Sequence, residues 1–460
     1  MIGLPPFLSF SENERILQLK ILMIILRTVK NISSLNIAAS VLLFLAAILA
    51  AVVANSSLSP VYQDFLLQEL HLRIGNFNLF SHGGHPLKMI EFINDCLMTV
   101  FFLAVGLEIK RELLVGKLSS VRKAALPFIA ACGGMVVPVV IYALSVASST
   151  PETRGMAIPM ATDIAFSLGV LSLLGKRVPL SLKIFLTAFA VVDDIGGILV
   201  IALFYSADVA YGYLIAAAVL YVFLYYMGKF GVTQKIFFLF FGVIIWYLFL
   251  QSGIHSTISG VILAFVIPAR PRLDAGKYIE RIRDIIGEFP VSKSDNIVLT
   301  NAQIATLKQV ERASDYVISP LQSLEDNLHG AVSFVILPLF AFANAGVVFS
   351  GSGSIVGDVS IAVAAGLLLG KFLGIYLFTW LAVKSGVALM PAGMNWKNIA
   401  GVSLLGGIGF TVSLFIANLS FADEYPELLN QAKFGVLVGT VLAGVLGYVV
   451  LNWVLPKREK

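Results

Sequence analysis

The chain has 460 residues, of which 58% are hydrophobic and only 13% are charged, and its formal net charge is +5. This composition excludes a soluble enzyme and predicts an all-α protein that crosses a membrane many times. The positive charge lies in loops, so it does not indicate nucleic-acid binding. Two cysteines in apolar runs and five scattered histidines give no zinc-ligand spacing and no disulfide framework, and we expect no cofactor.

The first 34 residues contain a short apolar run, Ile16 to Leu26, which Lys20 interrupts. No small-residue cleavage site follows it, so a signal peptide is not indicated. We interpret residues 1–34 as a segment in the cytoplasmic interface of the membrane. Residues 35–455 form the predicted transmembrane domain, and residues 456–460 form a cytoplasmic tail.

About twelve apolar segments are long enough to span a bilayer. They lie near residues 35–54, 90–107, 124–147, 155–174, 180–205, 209–228, 234–251, 253–268, 328–350, 359–383, 397–420 and 432–455. Lysine and arginine are concentrated at both ends of the chain and after the second, fourth, sixth and tenth segments. This asymmetry predicts that both termini are cytoplasmic.

Two connections are long. The first, residues 55–88, faces outside, and residues 72–79 alternate apolar and polar side chains around Gly75-Asn76, which predicts a β-hairpin. A lone hairpin is marginal in water, so we expect it to pair with a second copy and form a homodimer. The second, residues 269–327, is cytoplasmic and charged. We expect it to be partly helical, best at Tyr278 to Ile286, with a solvated linker as the alternative.

The fifth segment carries two adjacent carboxylates, Asp193 and Asp194, near the middle of an otherwise apolar run. One charge at that depth costs roughly 2.5–3.5 kcal/mol on insertion scales. Burial and mutual repulsion both favour proton uptake, so the pair predicts a site for protons or a small cation. The alternative is a cap at a helix break formed by Gly196-Gly197.

The fourth and eleventh segments are predicted to be interrupted. Pro159 lacks an amide donor, and Thr162 or Asp163 is placed to cap a second half-helix; glycines cluster at 406–409 in the eleventh segment. Segments seven apart run in opposite directions, so units 3–5 and 10–12 are candidate inverted repeats around a midplane ion site. Close helix packing is the alternative explanation for the glycines.

Lys371 lies near the middle of the tenth segment, about a dozen residues from either end. A lysine at that depth calls for a carboxylate neighbour. The alternative is a side chain that extends to the interface.

These motifs resemble one known family, the NhaA-type sodium/proton antiporters of bacterial inner membranes. The similarity covers about residues 35–455 and is carried by Ala161–Phe166, Val192–Asp194, Leu337–Gly346 and Gly407–Thr411. It implies twelve spans, with the fourth and eleventh unwound and crossing at the midplane. It also implies that Asp193 and Asp194 carry the ion and the protons.

The resemblance assigns roles to further residues. Thr162 and Asp163 would lie at the crossing, where Asp163 balances the positive helix N-termini, and Lys371 would balance the negative C-termini and pair with Asp193. Asp95 would lie near the cytoplasmic funnel. The residues assigned to the pH response are Glu108, Arg111, Glu112, His255, Glu325 and His329. Asp326 stands where the family often has histidine, and ordinary solvation is the alternative for all these surface charges.

We therefore expect a secondary antiporter of the bacterial inner membrane that exchanges Na⁺, or Li⁺, for H⁺. Exchange should be electrogenic and activated at alkaline pH, and membrane lipid and a second copy of the chain are the other expected partners. An intramembrane aspartyl protease is one alternative, although adjacent aspartates diverge by about 100° on a helix and Asp163 would have to supply the partner. A Na⁺-coupled symporter for an organic solute is the other.

Overall fold

The computed structural model describes residues 37–456 except 75–76, 83–84, 147–150, 206–208, 271–274, 288–299, 350–353 and 423. The predicted interfacial segment at 1–34 and residues 457–460 of the predicted tail lie outside the described residues. Most described residues are helical. The long helices are α1 Ile37–Ala54, α2 Ser59–Leu67, α3 Met89–Leu114, α4 Val121–Ser145, α5 Ile164–Leu173, α6 Leu180–Phe204, α7 Tyr211–Lys229, α8 Lys235–Leu250, α9 Thr257–Val266, α10 Ala275–Gly287, α11 Asn301–Val317, α12 Pro320–Asn344, α13 Asp358–Lys384, α14 Trp396–Leu405, α15 Phe410–Phe421 and α16 Pro426–Val454.

Eight of these helices are long and apolar enough to cross a membrane. Two further candidates are bent pairs: a 3-10 helix Pro151–Met160 with α5, and α14 with α15, each bent by 44° at a short break. The two shorter apolar helices, α8 and α9, occupy the seventh and eighth predicted segments. The prediction of a helical, multi-pass membrane protein is confirmed.

One predicted boundary differs clearly from the structure. The ninth segment was expected to begin near residue 328, but α12 begins at Pro320. The Ser319 hydroxyl accepts a hydrogen bond from the Gln322 amide at 3.2 Å, and proline occupies the first turn. These are ordinary helix-start signals, and they place Glu325 and His329 on the spanning helix itself.

The first long connection contains the predicted β-hairpin. Strands β1 Arg73–Ile74 and β2 Phe77–Asn78 pair antiparallel, while the turn itself lies outside the described residues. A second pair, β3 Ser81–His82 with β4 His85–Pro86, and the helix α2 were not predicted. In the second long connection, α10 confirms the helical prediction for Tyr278 to Ile286, and α11 is a second helix of the same connection.

The helix that carries Lys371 packs very closely against α4. A Cβ atom added at Gly374 would lie 2.1 Å from the Gly133 carbonyl oxygen, so only glycine permits this approach. A π-helical turn, Gly366–Gly370, directly precedes Lys371, and similar turns occur in α3 at Phe92–Leu97 and in α12 at Val332–Ile336. Such turns are frequent at functional sites.

Candidate ion-binding site

The two helix breaks lie against each other and exchange hydrogen bonds. The Asp163 amide donates to the Ile408 carbonyl at 2.7 Å, and the Thr162 hydroxyl donates to the Gly406 carbonyl at 2.7 Å. These contacts satisfy backbone carbonyls that no helix satisfies, which is the condition for non-helical backbone at membrane depth.

A serine one turn into each second half-helix repeats this exchange. The Ser167 hydroxyl of α5 donates to the Leu405 carbonyl at 3.0 Å, and the Ser413 hydroxyl of α15 donates to the Ile158 carbonyl at 2.8 Å. The second half-helix of each interrupted pair therefore binds the end of the first half-helix of the other pair. The near-symmetry is what two related repeats would give.

Asp163 caps both half-helices at once. One carboxylate oxygen, Oδ1, accepts from the Phe166 amide of α5 at 3.0 Å. The other, Oδ2, accepts from the Thr411 hydroxyl at 2.6 Å and the Thr411 amide of α15 at 3.2 Å. Two helix N-termini bring partial positive charge to one point, and a buried carboxylate balances it. Thr411 was not predicted as a site residue, although it stands two residues after the glycine cluster.

Asp193 is sealed in an ion pair. Its Oδ2 atom lies 2.7 Å from Lys371 Nζ, and both side chains have no exposed surface. The pair that the resemblance implied is therefore present. Its Oδ1 atom has no hydrogen-bond partner among the described residues.

Asp194, by contrast, faces a cavity of about 300 Å³. Thr162, Asp163 and Thr411 line the same cavity, so its inner end touches the helix crossing. Asp194 forms no hydrogen bond or ion pair within the described part of the chain. Adjacent residues on α6 thus have different surroundings: Asp193 is paired with a buried ammonium group, and Asp194 faces a cavity.

Four of the predicted pH-response residues line the outer end of this cavity: Glu108, Arg111, Glu325 and His329. Arg111 Nε lies 2.8 Å from Glu325 Oε1, which joins α3 to α12, and Arg111 Nη1 lies 2.9 Å from Glu112 Oε1. The cluster therefore contains Glu112 as well. Asp326 is exposed and does not line the cavity.

Asp95 lies apart from the cavity that Asp194 faces, and its expected place near the cytoplasmic funnel stays a prediction. Asp95 lies thirteen residues before Glu108 on α3, roughly 20 Å away at the helical rise, and it does not line the cavity. It is instead near His255, with 3.7 Å between Asp95 Oδ1 and His255 Nδ1. His255, which was grouped with the pH-response residues, is thus separate from their cluster.

Beside Asp95, three asparagines from separate helices meet. Asn344 Nδ2 donates to Asn94 Oδ1 at 2.8 Å, and Asn418 Nδ2 donates to Asn344 Oδ1 at 2.8 Å. They join α3, α12 and α15 at the end remote from the Arg111 cluster. No sequence signal other than polarity inside apolar segments pointed to them.

The arrangement suits a small, hard cation. Carboxylate, hydroxyl and carbonyl oxygens surround the inner end of the cavity, and oxygen is the ligand that such ions prefer. No group of three or more His, Cys, Asp or Glu side chains fit for a resident metal ion occurs in the described ranges. Buried ionisable groups at a helix crossing inside apolar helices define a membrane transport protein of the secondary-transporter class.

The comparisons with known proteins are specific. A family model described as Na+/H+ antiporter 1 matches residues 30–451, and the chain belongs to that family. A Na(+)/H(+) antiporter NhaA of Bacteroides fragilis is 75% identical over 437 residues, which are 95% of this chain and 100% of that protein. The corresponding protein of Bacteroides thetaiotaomicron is 74% identical over 438 residues (95% and 100%), and that of Porphyromonas gingivalis is 47% identical over 437 residues (94% and 96%).

Family membership makes the chain a multi-pass membrane transporter of the antiporter class. It is therefore not an enzyme, and the protease alternative is wrong. The contacts of Asp163 agree, because both of its oxygens already accept hydrogen bonds as helix caps.

Proposed function

We propose that this protein exchanges Na⁺, or Li⁺, for H⁺ across the bacterial inner membrane by alternating access at Asp193 and Asp194. One observation carries the proposal: Asp194 is a carboxylate at the inner end of a cavity with no hydrogen-bond partner among the described residues, and its neighbour Asp193 is held by a buried lysine. A carboxylate in that position must hold either a proton or a cation, because leaving it charged and alone is costly. Sodium and protons therefore compete for one site.

The cation enters through the cavity and loses its water to oxygen ligands at the inner end. Asp194 supplies the negative charge, while Thr162 and carbonyl groups at the two breaks supply neutral oxygens. Lys371 holds Asp193 in a neutral pair until the ion arrives. Asp163 stays bonded to both half-helices and keeps the crossing assembled.

Two units in the site change protonation or charge in one cycle, Asp194 and the Asp193–Lys371 pair. We infer that more than one proton moves per Na⁺, so that exchange is electrogenic. Alkaline medium removes the competing protons, so exchange increases as pH rises. The cluster formed by Glu108, Arg111, Glu112, Glu325 and His329 lies where the cation enters and adjusts the pH at which this occurs.

We also propose the number of spans, the position of the termini and the dimer contact. We count twelve spans by adding α8 and α9 to the eight long helices and two bent pairs, and both termini are cytoplasmic. Residues 35–455 form the antiporter domain. The β1–β2 hairpin joins two copies in a homodimer. A symporter for an organic solute is disfavoured, because the relatives are named antiporters.

The test is Na⁺-induced pH change in everted vesicles, with the membrane potential intact and collapsed. Asp194→Asn should abolish exchange while the protein still inserts. Asp358→Asn is the matched control, because Asp358 is an exposed carboxylate at the start of α13 and lies outside the cavity. Substantial exchange by Asp194→Asn vesicles contradicts the assignment, and no effect of the collapsed potential contradicts electrogenic exchange.

A further inference from the structure

A second cavity lies on the opposite side of the helix crossing from Asp194. It is an open groove of about 270 Å³ between α5, α16 and α1. Its lining is almost wholly apolar: Phe44, Phe166, Val170, Leu173, Thr440, Val441, Gly444, Val445 and Tyr448. None of the residues proposed to bind the cation or protons lines this groove.

The surroundings of the groove decide what fills it. Phe44, Leu173, Val441 and Val445 are between 41% and 58% exposed although they lie on apolar helices of membrane-spanning type, so they face lipid chains. An apolar cleft open to that medium takes hydrocarbon. Water would find only the Thr440 and Tyr448 hydroxyls as polar side-chain partners, too few for an ordered site.

The length of the groove matches one leaflet of a bilayer. From Phe166 to Leu173 α5 rises by roughly 10 Å, and from Thr440 to Tyr448 α16 rises by roughly 12 Å. Half of a hydrocarbon core is about 15 Å. The groove thus begins at the depth of the helix crossing and ends near one membrane surface.

A basic turn stands at that surface. Three residues after Leu173, the turn Gly175–Arg177 carries Lys176 and Arg177. Arg177 is fully used by the end of α16, because it donates to the carbonyls of Asn452, Leu455 and Pro456. Lys176 is exposed and forms no hydrogen bond or ion pair with the described residues, so its ammonium group is available to a phosphate.

We propose that this groove binds one acyl chain of an anionic phospholipid whose phosphate lies at Lys176. The bound chain packs behind both half-helix N-termini. Phe166 donates its amide to Asp163, and Thr440 accepts a hydrogen bond from the Phe410 amide at 3.3 Å, so both walls of the groove belong to residues that hold the crossing. The lipid is therefore a structural ligand of the ion site, reached from the membrane rather than through the polar cavity.

Photolabelling tests this directly. The full-length protein is reconstituted in phosphatidylethanolamine vesicles that contain a small fraction of phosphatidylglycerol with a diazirine near the end of one acyl chain, and labelled residues are mapped by mass spectrometry. We expect a several-fold excess of label on the groove residues of α5 and α16 over the lipid-facing surface of α7. Val219 on α7 is 61% exposed, close to the 56% of Val445, and serves as the reference.

Two variants separate a specific site from general lipid contact. Val445→Phe fills the groove and should remove most of the excess, whereas Val219→Phe should leave it unchanged. Lys176→Gln should reduce the excess for phosphatidylglycerol, and a matched phosphatidylcholine probe should show little excess in any variant. Equal labelling of groove and α7, or an excess that persists in Val445→Phe, overturns the proposal.

Discussion

The ion pair between Lys371 and Asp193 gives the sharpest stability prediction, because both side chains are completely buried and 2.7 Å apart. Lys371→Met keeps the length and roughly the volume of the side chain while it removes the charge, so little of the effect comes from a cavity. Breaking a buried pair from one side costs about 3–5 kcal/mol, since the remaining charge has no partner. For a chain of this size we expect a loss of roughly 3–5 °C in melting temperature.

The dependence on pH identifies the cause. In Lys371→Met, Asp193 is left as an unpaired carboxylate at alkaline pH, and it becomes neutral when it takes up a proton at acid pH. The deficit should therefore be largest at alkaline pH and shrink as the medium becomes acid. The double variant Lys371→Met/Asp193→Asn should recover most of the loss, because no unpaired charge remains.

The assay is thermal unfolding of purified protein in mild detergent, followed by tryptophan fluorescence between acid and alkaline pH. Lys384→Met is the matched control: Lys384 ends the same helix, is exposed, and lies over the Trp380 ring at 4.4 Å. If Lys371→Met melts like Lys384→Met at every pH, or if the double variant is no better than the single one, the pair does not carry the charge balance of the site.

Three further predictions concern the surroundings of the site. Thr411→Val removes the hydroxyl donor to Asp163 and should lower exchange at saturating Na⁺, since a hydrogen bond to a charged group contributes about 1.5–3 kcal/mol; an unchanged rate in vesicles contradicts a role for that contact. Glu325→Gln/His329→Gln should shift the midpoint of the pH–activity curve and leave its slope unchanged, and a changed slope would place the competing carboxylate in the cluster. Deleting residues 73–77 should convert a dimer to a monomer when mass is measured in mild detergent, and a surviving dimer excludes this hairpin as the contact.

The buried acidic pair could be predicted from the sequence, because two carboxylates inside an apolar run have a high free-energy cost of insertion into the membrane. Such residues mark functional sites. Lys371 was found by the same argument. The helix interruptions at 161–163 and 406–409 could also be predicted. The first was indicated by a proline followed by Thr162-Asp163, and the second by clustered glycines. Both predictions rest on local sequence signals, and the structure has a break between two helices at each of these positions.

The chemistry of the residues alone could not predict the unequal surroundings of Asp193 and Asp194, and the pairing of Lys371 with Asp193 was implied only by the family resemblance. The chemistry of the two aspartates is identical, and only the packing of α4 and α13 against α6 decides which one meets Lys371. The separation of Asp95 from the cavity could not be predicted for a related reason. A motif gives the identity of a residue, but the position of a cavity along a helix is set by all the helices that surround it.

Short polar contacts between distant segments likewise could not be predicted from the sequence. The asparagines at 94, 344 and 418 come from three helices, and nothing in a single sequence pairs them. The early start of α12 could have been predicted, because Ser319-Pro320 is a helix-start signal. The expected boundary followed the apolar pattern instead.

Competition between Na⁺ and protons at one carboxylate site is the central claim, and the apparent Michaelis constant for Na⁺ against pH measures it. In wild-type vesicles the constant should rise about tenfold for each pH unit toward acid for every competing proton, and it should level off once the carboxylates are ionised. The Asp193–Asp194 site should titrate as a coupled unit in this profile. A Michaelis constant that stays flat between acid and neutral pH would show that Na⁺ and protons do not share the site, and the mechanism would be wrong.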